Sequence, residues 1–328
     1  MIVVTGAAGL IGSNVIARLN EIGRGPIAAV DWFSDPLKLH NLRNRTIEVF
    51  LSPDQSSSFL ESNRSRISAV IHMGAISDTT ERSRERLVRW NVAASVMYWD
   101  WCTKHEVPFI YASSAAVYGA DESVFSDDDS PAAITALSPL NLYGWSKKEV
   151  DKTFADRVAQ GTPRPPQWVG LRFFNVYGPN EYHKGEMKSI ALKLYEAAHA
   201  GRTLRLFKSH RKSVADGEQQ RDFVYVSDCS RAISWLLDHP QISGIYNLGT
   251  GVSCTFLDVL RSLERAMGTN LPLEFIEMPP LLRDQYQYFT RANMSKARGC
   301  GLNMVFTSLE SGIEDYVNRY LIRESAYR

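Results

Sequence analysis

Cysteine is scarce in this chain of 328 residues. The four present, Cys102, Cys229, Cys254 and Cys300, include no CxxC pair. That excludes a disulfide-stapled scaffold and a zinc ribbon, and free thiols in a reducing cytoplasmic compartment are the simplest reading. Net charge is nearly absent too, with 37 Lys and Arg against 36 Asp and Glu. There is therefore no basic field for nucleic acid and no acidic tail, and no nucleic-acid partner is expected. No apolar run approaches the roughly 18 residues of a membrane span. The N-terminal MIVVTGAAG enters an apolar strand without a basic leader, so neither a membrane anchor nor a secretory signal is expected. The seven histidines are dispersed, none in HxxxH or HExxH spacing, and no metal is expected. Hydrophobic residues at 44% and charged residues at 22% rule out disorder and coiled coil as the main architecture.

Short β-branched runs alternate with amphipathic stretches through the first half. Ile2–Thr5, Ile27–Val30, Ala69–His72 and Phe109–Ala112 read as buried strands, with helical patterns at Leu10–Ile22 and Arg84–His105 between them. This alternation predicts an α/β fold, a doubly wound parallel sheet covered on both faces. A helix is expected from Leu142 and a strand at Trp168–Phe174. After Gly178 the texture changes, and a smaller C-terminal α/β lobe over 179–328 is expected to follow a dinucleotide-type domain over 1–178. The pattern reads as a helix at Ser189–His199, a polar loop at Lys208–Gln220, a strand at Phe223–Val226, a helix at Cys229–Leu237 and a strand at Ile245–Leu248. The chain is expected to cross back to the first domain at about 221–250.

Thr5–Gly12, sequence TGAAGLIG, joins the first strand to the first helix. Glycines at 6, 9 and 12 give a tight turn, close approach of a pyrophosphate and close helix–strand packing. The helix start at Leu10 and Ile11 offers free N–H groups to phosphates. Asp31 ends the second strand and could accept hydrogen bonds from a ribose. Alone it favours NAD, while Lys38 and Arg43 could neutralise a 2′-phosphate, so both cofactors stay open. Tyr143 and Lys147 stand at i and i+4 on one helical face, where an ammonium favours a phenolate. Ser113 and Ser114 end a strand at its carboxyl side, where ligands bind in open α/β sheets.

TGxxGxxG, a strand-end Ser and YxxxK together resemble the extended short-chain dehydrogenase/reductase superfamily. The resemblance implies a Rossmann-type domain and a nicotinamide-dependent redox step on a nucleotide sugar. Ser114, Tyr143 and Lys147 would take the catalytic roles, and Lys147 would also hold the nicotinamide ribose. It further implies a cofactor loop at His72–Ser77, with Met73, Gly74, Ala75, Ile76 and Ser77, and cofactor contacts from Trp32, Asn91, Val176 and Lys184. Within the superfamily, FNVYGP at 174–179 followed by HKGEM at 183–187 is similar to the ADP-heptose 6-epimerase family. QRDFVY at 220–225, YNLGTG at 246–251 and YQYFT at 286–290 extend the likeness. That family implies NADP, with NAD possible, and an ADP-heptose substrate of lipopolysaccharide core synthesis. A homo-oligomer is implied as well. Lys184 would be a second acid/base, and Asn175, Glu186, Lys193, Phe207, Arg221 and Tyr286 would join Ser114 at the substrate.

Met73 stands where the family carries Glu, Pro53 where it carries Lys, and Glu186 and Lys193 where other residues are usual; the 208–220 loop is longer. A 4-epimerase or dehydratase of another nucleotide sugar would need Ser114, Tyr143 and Lys147 but not Lys184. A non-catalytic dinucleotide sensor would lack that trio, which is complete here.

Overall fold

The computed structural model describes residues 1–119, 125–283, 286–323 and 325–328. In chain order the strands are β1 (Ile2–Thr5), β2 (Ile27–Val30), β3 (Val49–Leu51), β4 (Ala69–His72), β5 (Phe109–Ser114), β6 (Trp168–Phe173) and β7 (Asn175–Tyr177). They continue with β8 (Leu204–Phe207), β9 (Gln220–Arg221), β10 (Phe223–Tyr225), β11 (Gly244–Leu248), β12 (Cys254–Thr255) and β13 (Leu273–Ile276). The principal helices are α1 (Leu10–Glu21), α2 (Ala94–Lys104), α3 (Leu142–Ala159), α4 (Ile190–His199), α5 (Val226–Leu237), α6 (Phe256–Met267) and α7 (Leu309–Tyr316).

Seven strands form one sheet in the order β11-β6-β5-β4-β1-β2-β3, and every pairing in it is parallel. Parallel strands need both faces covered, and their side chains alternate accordingly. Ile2 and Val4 pack on one face with Val15, Ile16 and Leu19 of α1 and Ile233 and Leu236 of α5. Val3 packs on the other with Trp99 of α2 and Phe154 of α3. Because β1 lies between β2 and β4, the direction of winding reverses beside it. The crevice at the carboxyl ends of β1 and β4 is thus where such a sheet receives ligand. A third apolar cluster joins Leu192 and Leu194 of α4, Leu204 and Leu206 of β8, Leu260 and Leu263 of α6 and Ile313 of α7. It sits over the paired strands β8 and β13.

The boundaries differ from the pattern in informative places. β5 runs on to Ser114, so it delivers that serine at its end. The stretch expected as one helix is Arg84–Leu87, a π segment Val88–Ala93 and then α2. The wider turn holds Asn91, whose amide leaves the helix to bond elsewhere. α5 starts at Val226 instead of Cys229. β3 and the helix Pro53–Ser62, closed by a Ser52–Gln55 capping box, carry too little apolar periodicity to be read in advance. No helix among the described residues is long and apolar enough to cross a membrane.

Trp99 is the joint between the sheet and two helices. It is fully buried, stacks on Phe154 at 4.1 Å between ring centroids, and meets Phe109 and Trp168 edge-on. Trp99→Ala should cost about 3–5 kcal/mol, read as a lower urea midpoint with the slope unchanged.

Candidate active site

The turn after β1 depends on two glycines. Gly6 has φ +61°, and a Cβ there would lie 2.7 Å from the Gly74 nitrogen. A Cβ on Gly12 would lie 2.1 Å from the Gly6 carbonyl oxygen, so α1 can start against the turn only because that hydrogen is small. Gly9, the residue preceding α1, brings no side-chain oxygen to cap the helix. The first-turn N–H groups of Leu10, Ile11 and Gly12 therefore keep their capacity for an anion. This cradle fits the diphosphate of a dinucleotide.

Asp31 holds the cradle in shape. It is 4% exposed; its Oδ2 accepts from Ala8 N at 2.9 Å, and its Oδ1 from Trp32 N at 2.7 Å and Lys38 Nζ at 2.5 Å. The carboxylate offered to a ribose by the sequence is already engaged by three donors. Lys38 is the cation beside it, while Arg43 turns to Ser325 and Tyr327. Trp32 stays half-exposed with its ring edge-on to Trp90.

Across the crevice, Thr5 Oγ1 accepts from Gly74 N at 3.0 Å and bonds His72 Nδ1 at 2.6 Å, and His72 Nε2 bonds Ser95 at 3.0 Å. Burial, aided by the Lys147 ammonium, pulls His72 down to about 3, so its ring is a neutral link. Asn91 accepts from Ile76 N at 2.8 Å and donates to Ile76 O at 3.0 Å and Ser146 Oγ at 2.9 Å. It thereby pins the Met73–Ser77 loop to α3. Met73 and Ala75 are partly buried in that loop and Ser77 is exposed.

Ser114 closes β5 and accepts from Ala116 N at 3.1 Å. Tyr143, in the first turn of α3, hydrogen-bonds with Ser114; burial raises its phenol and that bond draws it back. Lys147 is 2% exposed and donates to Ala112 O at 2.7 Å. Burial pulls its ammonium down to about 8, against the opposing charge of Asp151. Tyr143 thus meets Ser114 directly, and Lys147, one turn on along α3, is bonded to the same strand two residues before that serine.

Lys184 comes from a different direction. It lies half-buried in the short helix Tyr182–Met187, which is broken at Gly185. Burial lowers its ammonium and Glu181 resists. Glu181 is fully buried, and accepts from Gly178 N at 3.1 Å, Ser189 Oγ at 2.8 Å and Ser189 N at 2.5 Å. The preceding turn is tied to the glycine loop by Asn41, which donates to Ala8 O at 2.7 Å and Asn180 O at 3.0 Å. Burial, with Lys38 and Lys184 nearby, takes His183 down to about 4. Tyr182 donates to Ala326 O and Arg328 N to Asn180 Oδ1, so residues 325–328 lie along this loop.

Of the residues expected at the substrate, Phe207, Arg221 and Tyr286 converge. The Arg221 guanidinium lies 5.1 Å from the Tyr286 ring, which meets Phe207 edge-on at 6.5 Å. Asn175 is exposed and accepts from Thr290 at 3.5 Å, and Val176 pairs with Val224. Glu186 and Lys193 instead pair with each other at 3.2 Å on the surface. Asp222, beside Arg221, escaped the sequence reading. It is fully buried, and its oxygens take Thr250 N at 2.8 Å, Gly251 N at 2.9 Å and Ala292 N at 3.0 Å, so the YNLGTG turn is built on it. Among the described residues no group of three or more His, Cys, Asp or Glu is placed to hold a metal.

A sequence model of the NAD dependent epimerase/dehydratase family matches residues 2–249. The chain is 42% identical over its full length to the whole of an ADP-L-glycero-D-manno-heptose-6-epimerase of Fusobacterium nucleatum. It is also 42% identical to one of Nitratidesulfovibrio vulgaris over 98% of both chains. The crystal structure of the Helicobacter pylori ADP-L-glycero-D-manno-heptose-6-epimerase is similar, with TM-score 0.79 and 26% identity over 97% of this chain and 95% of that one. UDP-glucuronic acid 4-epimerase from Bacillus cereus, in complex with UDP-glucuronic acid and NAD, gives 0.77 and 25% over 97% and 99%.

Two outcomes follow from the geometry. Gly12→Ala should weaken dinucleotide binding about tenfold or more, ~1.4 kcal/mol, measured by calorimetry. Burial has lowered the pKa of the Lys147 ammonium to about 8. Its charge is present below pH 8 and lost above, so turnover should fall as pH rises through about 8, read from a kcat–pH profile.

Proposed function

The chain belongs to the NAD dependent epimerase/dehydratase family, and from that premise we propose that it converts ADP-D-glycero-D-manno-heptose to ADP-L-glycero-D-manno-heptose by inverting carbon six, a step serving lipopolysaccharide core synthesis. The observation that carries the reading is a second, half-buried acid/base candidate. Lys184 sits on a loop separate from Ser114, Tyr143 and Lys147, with its ammonium destabilised by burial. Inverting a carbinol through a ketone requires protons to be managed on both faces of the carbonyl, and one tyrosine reaches one face.

A nicotinamide dinucleotide bound at the glycine cradle would supply a hydride acceptor that also returns the hydride. Tyr143, as phenolate, withdraws the proton from the carbon-six hydroxyl while Ser114 holds that oxygen. Lys147 keeps the phenolate charged and orients the nicotinamide ribose. Once the 6-keto sugar presents its other face, Lys184 gives a proton to the carbonyl oxygen as it becomes an alkoxide. Arg221, packed on Tyr286 and near Phe207, grips the diphosphate, and Asn175 contacts the sugar. Glu186 and Lys193 would contact substrate by parting from each other. Residues 1–178 form the dinucleotide domain and 179–328 the nucleotide-sugar lobe, with the chain crossing back to the first domain at about 221–250.

NADP is the preferred cofactor on this reading. Lys38 neutralises Asp31, and its ammonium is the cation available to a 2′-phosphate where Pro53 offers none. The chain acts in the cytoplasm as a homo-oligomer.

Lys184→Ala should lower epimerisation about 10²–10⁴-fold while the bound cofactor is retained. The assay is incubation with ADP-D-glycero-D-manno-heptose and chromatographic separation of the carbon-six epimers. Unchanged turnover would remove Lys184 from the mechanism, and conversion of a different nucleotide sugar alone would remove the substrate. Lys38→Ala should reduce the preference for NADP over NAD about tenfold or more, measured from the two dissociation constants.

A further inference from the structure

Helix α3 carries Tyr143, Lys147 and Asp151 four residues apart, hence along one face, and β5 meets each in turn. Tyr143 bonds Ser114, Lys147 donates to Ala112 O at 2.7 Å, and Asp151 accepts from Ser113 Oγ at 2.9 Å and Tyr111 OH at 3.1 Å. Eight residues of helix advance about 12 Å, so Asp151 anchors the far end of the seam whose near end is Tyr143. It is also clamped by charge: Arg172 Nε of β6 lies 2.9 Å from its Oδ2, and both side chains are 0% exposed. Arg172 is fixed in turn, donating to Tyr118 OH at 3.1 Å and Ser126 O at 3.3 Å, and Tyr118 donates to Asn247 of β11 at 2.6 Å.

We propose that Asp151, clamped by Arg172, is a positioning residue for the Tyr143–Lys147 pair. It sets how far α3 sits along β5 and presents its negative charge to the buried ammonium one turn earlier. The proposal rests on Tyr143 and Lys147 as the proton-handling pair and is independent of which sugar is turned over.

Four elements supply the groups around Lys147. Its own helix supplies Tyr143 and Asp151, and β4 supplies His72, held neutral by burial. From β5 come the Ala112 carbonyl and the Tyr111 and Ser113 hydroxyls bonded to Asp151. Arg172 of β6 pairs with the Asp151 carboxylate. Asp151 is thus the negative charge that opposes the desolvation of Lys147. Removing it favours the neutral amine, so the ammonium is lost at lower pH. An unpaired Arg172 pushes in the same direction.

Three variants of the holoenzyme test this. Asp151→Asn should lower kcat about 10–100-fold with KM within about threefold, and move the alkaline limb of the kcat–pH profile about one unit lower. Asp151→Glu keeps the charge and should restore the limb while kcat recovers to within about tenfold of the unaltered protein. Asp151→Asn with Arg172→Gln leaves no unpaired guanidinium, which keeps the test open should the single variant unfold, and its limb should also move lower. Titration of the Lys147 Nζ resonance in holoenzyme labelled with 15N-lysine reports the same shift without any sugar. A folded neutral variant whose Lys147 titration and alkaline limb coincide with those of the unaltered protein overturns the proposal. A shifted Lys147 titration with no conversion of the ADP-heptose by any form, the unaltered protein included, supports it while removing the substrate reading.

Discussion

An arginine and an aspartate without solvent contact stand at the centre of the molecule, between β6 and α3. Burying one such charge alone is prohibitive, and removing either partner strands the other. The surrounding chain must therefore supply hydrogen-bond partners in fixed places, and most come from Tyr111 and Ser113 of β5, from Tyr118, itself bonded to Asn247 of β11, and from the Ser126 carbonyl. An apolar contact at this point could slip by part of an ångström with little loss. A charged, directional one cannot, and the register between the helix carrying Tyr143 and Lys147 and the strand ending in Ser114 inherits that stiffness.

The same device recurs at each loop that borders the crevice. Asp31 fastens the glycine turn, Asn91 the loop after β4, Glu181 the loop bearing Lys184, and Asp222 the turn at 250–251. Each is a buried polar group whose oxygens accept from backbone N–H groups that the loop itself leaves unpaired. The apolar core fixes the sheet and its helices, while these carboxylates and amides fix the functional edge.

That division explains what could be read from the sequence. The seven-stranded sheet was largely legible because short apolar runs bounded by Gly and Pro have few other solutions, and TGxxGxxG and YxxxK place their groups by local geometry alone. Asp151, Glu181 and Asp222 were not, since their partners lie far along the chain or belong to the backbone, and an isolated carboxylate in a sequence looks like any surface charge. Asp31 was seen but its present partners were not: Ala8 reaches it only once β1 and β2 are side by side, and Lys38 only once the chain turns back after β2. The Glu186–Lys193 pair shows the reverse case, two polar residues carried by family likeness whose charges satisfy each other on the surface.

The three donors on Asp31 have a thermodynamic meaning. They give the dinucleotide cradle its final shape from the chain's own contacts, so little conformational entropy remains to be lost when a ligand arrives. A dinucleotide entering such a cradle meets a surface already shaped to receive it, and its binding is spared the cost of folding a loop around the phosphates.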